Sequence, residues 1–251
     1  MNKKIEDELI QALIDQKEIF GDDLFEGPGK PDKKMSDSRR TGFLKNIKGK
    51  GEEDISLFED PKEGWENAKS LEELNDSIKD CTKCPLHKSR NKFVFGTGDP
   101  DADVMVIGEG PGAEEDKQGE PFVGRAGKLL NDILKAINFE RSEVYIANIV
   151  KSRPPGNRTP TAEEMDACFP YLDKQIQLIK PKLILALGLT AAQGLLKKRD
   201  SLTKMRGNIY EYKGIRTMVT YHPAALLRNP HWKRGCWEDV QKFRKLYDEI
   251  Q

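Results

Sequence analysis

Apolar residues along this chain fall into two kinds of run. Short unbroken runs, DVMVIG at 103–108, EVYIANIV at 143–150 and LILAL at 183–187, read as strands buried on both faces. Residues 208–212 and 215–220 flank Lys213-Gly214 and predict a hairpin or turn leading into a fourth core strand. Between these runs the apolar positions recur at helical spacing. Leu129, Leu130, Ile133, Leu134 and Ile137 mark one helix face. Met165, Cys168, Leu172, Ile176 and Ile179 mark a second, with a kink expected at Pro170. Trp237, Val240, Phe243, Leu246, Tyr247 and Ile250 mark the last. Ser70 stands three residues before Glu73, and Thr161 three before Glu164, so each pair predicts a capped helix start. Thr190 is expected to open a short helix.

Strands that alternate with helices predict a three-layer α/β/α fold around a central four-stranded parallel sheet. The compact domain is expected to occupy residues 68–251. Residues 1–67 form an N-terminal extension, with a short amphipathic helix carried by Ile5, Leu9, Ile10, Leu13 and Ile14. A charged, glycine- and proline-bearing linker follows at 21–66.

Composition adds little about partners. Lys plus Arg equals Asp plus Glu at 42 each, so any basic surface must arise from local clustering. No apolar run approaches the roughly 18 residues of a membrane span, and MNKKIEDELIQAL has no apolar signal core. A cytoplasmic protein is expected. Its four cysteines then read as metal ligands or free thiols rather than disulfides.

Four segments follow strand ends and should meet at one edge of a parallel sheet: Gly108 to Gly112, Asn148, the loop after Gly188, and His222 to Arg228. GEGPG has neither dinucleotide-fingerprint spacing nor a Gly-Lys-Ser/Thr ending, so it reads either as a tight turn or as a close backbone approach to a flat ligand. Asn148 lies inside an apolar run, where a buried amide caps a loop or reads a ligand with one donor and one acceptor. Arg228, His231, Lys233 and Arg234 crowd one loop as a surface patch or phosphate contact. Cys81-x-x-Cys84 is a metal hook open to zinc or iron–sulfur on spacing alone, and Cys168 and Cys236 read as further ligands or buried apolar residues.

In combination, C-x-x-C, GEGPGAEED, PFVGRAGKLL, the Asn148 strand, NRTPT and HPAALLRNP resemble the iron–sulfur uracil-DNA glycosylases, the thermostable family usually numbered four. The likeness covers about Cys81 to Ile250. It implies an enzyme that flips uracil out of DNA and hydrolyses its N-glycosidic bond in base excision repair. Phe122 would stack on the flipped ring, Asn148 would read its Watson–Crick edge, and Gly110 would bring backbone amides to it. His222 would donate to O2 of the departing base. Glu109, with Glu115 as the alternative, would position water and steady the sugar cation. Arg228 and the helix start after Gly124 would contact the DNA backbone, and Gly207 would turn near it. The family also implies a structural [4Fe-4S] cluster, with Cys81, Cys84 and Cys168 as ligands. Its fourth cysteine would fall near Leu185, where this chain has none, so Cys236, another group, or a three-iron or absent cluster stays open. The substrate partner is uracil-containing DNA, the enzyme is expected to be a monomer, and residues 1–67 are a candidate tether to a replication or repair protein. A binding protein that merely keeps the fold is the rival reading, and the full set of Glu109, Phe122, Asn148 and His222 weighs against it. A relative that stays covalently attached to DNA carries a histidine in the loop after the Asn strand, and residues 151–157 have none.

Overall fold

The computed structural model describes residues 64–250. The expected first helix and the linker lie outside the described residues. In chain order the elements are α1 Leu71–Ile78, β1 Thr97–Gly98, β2 Val104–Gly108, α2 Ala113–Gln118, α3 Arg125–Ala136, β3 Val144–Asn148, α4 Ala162–Ile179, β4 Leu183–Leu187, α5 Gly188–Leu196, α6 Leu202–Met205, β5 Ile209–Tyr212, β6 Ile215–Thr220, α7 Pro223–Arg228 and α8 Lys233–Asp248.

The strands form one six-stranded sheet in the order β1-β3-β2-β4-β6-β5. Its centre, β3-β2-β4-β6, is parallel throughout, as the alternating pattern predicts. The sheet is wider than expected, because β1 and β5 add one antiparallel strand at each edge. Every residue of β2, β3 and β4 is buried, which is why these strands read as unbroken apolar runs. One face, with Met105, Ile107, Ala147, Ile184, Ala186 and Val219, packs on α1, α4 and α5 through Leu74, Leu172, Ile176 and Leu195. The opposite face is covered by α3 and α8, whose Leu130, Leu134, Val240 and Phe243 are buried. Phe139, just after α3, meets Phe243 and Tyr247 of α8 edge-on at 6.5 and 4.9 Å.

Local signals explain the helix starts. Thr161 Oγ1 accepts from the Glu164 N–H, and the Glu164 carboxylate accepts from the Thr161 N–H, closing the capping box. Ser70 caps α1 in the same way, but the Glu73 carboxylate reaches one residue further back, to the Lys69 N–H at 2.7 Å. α4 runs through Pro170 as one element. α5 begins at Gly188 rather than Thr190, because Gly188 takes φ +87° and turns β4 into the helix with no intervening loop. Residues ahead of 68 already belong to the packed body: Trp65 lies edge-on to Tyr171 at 5.1 Å. No helix among the described residues is long and apolar enough to cross a membrane.

Candidate active site

Parallel register brings the functional segments together. Gly108 at the end of β2 pairs with Asn148 at the end of β3, and Leu187 at the end of β4 pairs with Thr220 at the end of β6. Backbone bonds from the Ile149 N–H to the Gly108 carbonyl and from the Val150 N–H to the Glu109 carbonyl carry the ladder past the strands and fix the glycine turn. At this rim lies a cavity of about 390 Å³, within the range of small-ligand sites. Glu109, Gly110, Glu115, Phe122, Asn148, His222 and Arg228 all line it.

Asn148 is buried, and its Oδ1 has no hydrogen-bond partner among the described residues. A buried carbonyl left unpaired costs about 1–3 kcal/mol. Asn148 lines the cavity, and a side-chain amide there matches a ligand that offers one donor and one acceptor. Beside it stands the buried ring of Phe122. A Cβ on Gly108 would collide with Asn148 Oδ1 and come within 2.7 Å of Phe122 Cζ. Only glycine lets β2 end against both groups.

Phe122 adopts φ +54°, an uncommon conformation for an aromatic residue. Its backbone is held from both sides. Arg141 donates to the Pro121 carbonyl at 2.7 Å. Gly127 in the first turn of α3 has no room for a Cβ against the Phe122 carbonyl group, so the helix start presses directly on that peptide. α3 in turn packs on α7, which carries His222 at its N-cap.

His222 Nδ1 accepts from the Ala224 N–H at 3.2 Å. That bond fixes a neutral imidazole with its proton on Nε2. Burial, and then the charge of Arg228, push the His222 pKa down to about 4. His222 is therefore a neutral donor at pH 7, its ring centroid 5.4 Å from that of Phe122.

The two carboxylates differ sharply. The Glu109 side chain has no partner among the described residues and lines the cavity. Glu115 is fully engaged: Oε2 accepts from the Gly112 N–H, and Oε1 accepts from the Val123 and Gly124 N–H groups, each at 3.1 Å. Glu115 thus ties the glycine turn to the start of α3. This bears on the DNA contact expected at Gly124. The Gly124 N–H at the α3 terminus cannot greet a DNA phosphate, because a carboxylate already holds it and would repel the anion. The Gly112 N–H is likewise spent, which leaves Gly110 as the glycine of that turn lining the cavity with its amide unassigned.

Arg228 ends α7 at the cavity mouth and is exposed. The loop beyond it is partly structural: Trp232 stacks on Tyr221 at 5.1 Å, and Arg234 pairs with Glu238 at 3.4 Å. Gly207 does not line the cavity. Its N–H donates to the Val219 carbonyl, and Lys242 donates to its own carbonyl. Arg206 beside it grips the Asp239 carboxylate with two nitrogens at 3.0 Å. The residue-level reading missed Pro154, Asn157, Arg158 and Thr190, which also line the cavity. Arg158 binds both Glu164 oxygens at 2.6 and 2.8 Å and holds that carboxyl below its usual range. The NRTPT motif is the signal that contained Asn157 and Arg158.

A second, smaller cavity is lined by Cys81, Cys84 and Cys168, together with Arg90, Lys151, Ser152 and Tyr171. The Lys151 N–H donates to Cys168 Sγ at 3.3 Å, and Cys81 Sγ lies 3.2 Å from the Tyr171 hydroxyl. Burial pushes the Cys168 thiol up to about 11. A single zinc ion would draw its donors to about 2.3 Å of one point. Among the described residues no three His, Cys, Asp or Glu groups are so placed. Three thiols around one cavity are the donor type that iron–sulfur clusters take. Cys236 is not among the lining residues. It sits on α8, where its Sγ accepts from Thr220 Oγ1 at 3.5 Å, away from the residues that line this cavity. Leu185, where the family pattern put that ligand, lies mid-strand between Val106 and Met218.

The model of the Uracil DNA glycosylase superfamily matches residues 95–244. A Type-4 uracil-DNA glycosylase of Thermotoga maritima is 47% identical over 180 residues, which is 70% of this chain and 94% of the relative. Those of Pyrobaculum aerophilum and Archaeoglobus fulgidus are 44% and 40% identical, over 69% and 72% of this chain and 92% and 96% of theirs.

Proposed function

The chain belongs to the uracil-DNA glycosylase superfamily, and from that premise we infer that it excises uracil from DNA by hydrolysing the N-glycosidic bond. The observation that carries the reading is the buried Asn148 amide, its Oδ1 without a partner among the described residues, on the wall of the main cavity that Phe122 also lines. Uracil offers N3–H to that acceptor and O4 to the amide nitrogen. Cytosine has its donor and acceptor exchanged at these positions, so the same amide meets it wrongly. The Phe122 face stacks on the extruded ring.

As the bond between C1′ and N1 breaks, its electron pair stays on uracil and positive charge gathers on the sugar. The His222 Nε2–H donates to O2, where that negative charge accumulates. Glu109 orients a water whose oxygen bonds to C1′, and its charge steadies the sugar cation. One water proton stays on the new C1′ hydroxyl and the other passes to the carboxylate, and the departing uracil anion takes a proton at N1 from solvent. Uracil and an abasic site are the products. Arg228 at the mouth contacts the phosphate backbone of the strand.

Cys81, Cys84 and Cys168 would hold an iron–sulfur cluster that cross-links the C-x-x-C turn to α4 and supplies no group to the hydrolysis. The enzyme acts in the cytoplasm as a monomer, with residues 1–67 as a tether to replication or repair machinery.

A uracil-containing oligonucleotide incubated with the purified chain should release free uracil and become alkali-labile at that position. DNA left intact would favour the rival reading of a binding protein that merely keeps the fold.

A further inference from the structure

We propose that Ser152 Oγ is the fourth ligand of the iron–sulfur cluster, completing a three-thiolate, one-alkoxide set with Cys81, Cys84 and Cys168. The inference rests on the cluster reading above and deepens it. All four side chains line the same small cavity, and among the described residues no other Cys, His, Asp or Glu does. Ser152 is 5% exposed, so its hydroxyl is committed to the interior.

Arg90 supplies an independent tie. Its Nη1 donates both to the Cys81 carbonyl at 2.6 Å and to Ser152 Oγ at 3.2 Å. One guanidinium therefore fastens the C-x-x-C turn to the Ser152 segment, and its charge favours an oxygen anion at Oγ. The neighbouring Lys151 N–H holds Cys168 Sγ, which brings the fourth side of the cavity into the same register. The candidates for this corner that the sequence suggested lie elsewhere, Cys236 on α8 and Leu185 in mid-sheet.

On ligation the Oγ–Fe bond forms as the Oγ–H proton passes to solvent, with no change in the oxidation state of the cluster. An alkoxide is a harder donor than a thiolate and is the poorer match for an iron–sulfur centre. An iron held by Ser152 would thus be the corner released first under oxidation.

The test uses the full chain purified without oxygen, with iron, sulfide and electron paramagnetic resonance measured beside uracil release. The wild type should hold about four irons per chain. Ser152→Ala should hold about three, with the resonance of an oxidised three-iron cluster. Ser152→Cys should keep about four and outlast the wild type under a measured dose of oxidant. Full iron with an unchanged spectrum in Ser152→Ala would overturn the proposal, as would a three-iron wild type. Should Ser152→Ala fail to fold, Ser152→Cys decides alone, since oxidant sensitivity equal to the wild type's overturns the assignment. A wild type without iron overturns the cluster itself and, if uracil release persists, leaves the glycosylase reading intact.

Discussion

The Phe122 and His222 rings lie 5.4 Å apart between centroids and 31° from parallel, although one precedes α3 and the other caps α7. Their spacing is set by the packing of those two helices and by the pressure of Gly127 on the Phe122 peptide. Phe122 keeps a positive φ that costs a non-glycine residue about 1–2 kcal/mol. Phe122→Leu preserves most of the burial and removes the π face. Single-turnover uracil release should fall about 10–100-fold, the rate equivalent of about 1–3 kcal/mol of base stacking. A rate within twofold of wild type would remove Phe122 from the site.

Gly108 gives a test that bears on two readers at once. A methyl group there meets Asn148 Oδ1 and stands 2.7 Å from Phe122 Cζ. Neither neighbour can withdraw freely, since both are buried. Gly108→Ala should displace the amide and the ring together, with uracil release falling at least as far as in Asn148→Ala. The Asn148 truncation alone should cost about 1–3 kcal/mol of recognition, or roughly 10–100-fold. Comparable activity in Gly108→Ala and wild type would mean that the slot is not where uracil sits.

His222 predicts a pH dependence of stability. Its folded pKa of about 4 lies below the unfolded value of about 6.5. Between those values the unfolded chain binds a proton that the folded chain does not, so stability falls as pH drops from about 6.5 to about 4. The full contribution is present above the upper value. It amounts to about 3 kcal/mol if the shift is entire, and less where the cavity admits solvent. Urea unfolding across that interval should show a smaller pH slope for His222→Gln than for wild type. Equal slopes would place a charged imidazole in the folded protein and undo its role as a neutral donor.

How much of this was readable before the fold depends on the range over which each signal acts. β2, β3 and β4 were legible because burial on both faces writes an unbroken apolar run. Thr161 and Glu164 were legible because a capping box is complete within four residues. β1 was not, because two residues carry no period and pair only once β3 is beside them. Asn148 announced itself as an amide among aliphatic neighbours. Ser152 did not, since a serine in a loop is ordinary until three cysteines surround the same cavity. Cys236 stayed open for the converse reason: its residue type fits a ligand or a buried apolar position, and only the fold shows it facing Thr220.

The two carboxylates at the glycine turn offer the sharpest separation of stability from chemistry. Sequence places Glu109 and Glu115 on nearly equal terms, six residues apart around GEGPG. Three backbone N–H groups converge on Glu115, two from the start of α3 and one from the turn, so both of its oxygens are already hydrogen-bonded. Glu115→Gln replaces one acceptor oxygen with a donor that faces an N–H. Each amide left unsatisfied costs about 1–3 kcal/mol, so the melting temperature should drop by several degrees. Glu109 has no such partners, and Glu109→Gln should leave the melting curve near that of the wild type. Its effect should appear in uracil release instead, at about 100-fold for a carboxylate that orients and deprotonates water. Melting curves and single-turnover rates measured on both variants decide the matter. A stable Glu115→Gln with lost activity, beside an active Glu109→Gln, would exchange the two roles and move the attacking water to the other side of the turn.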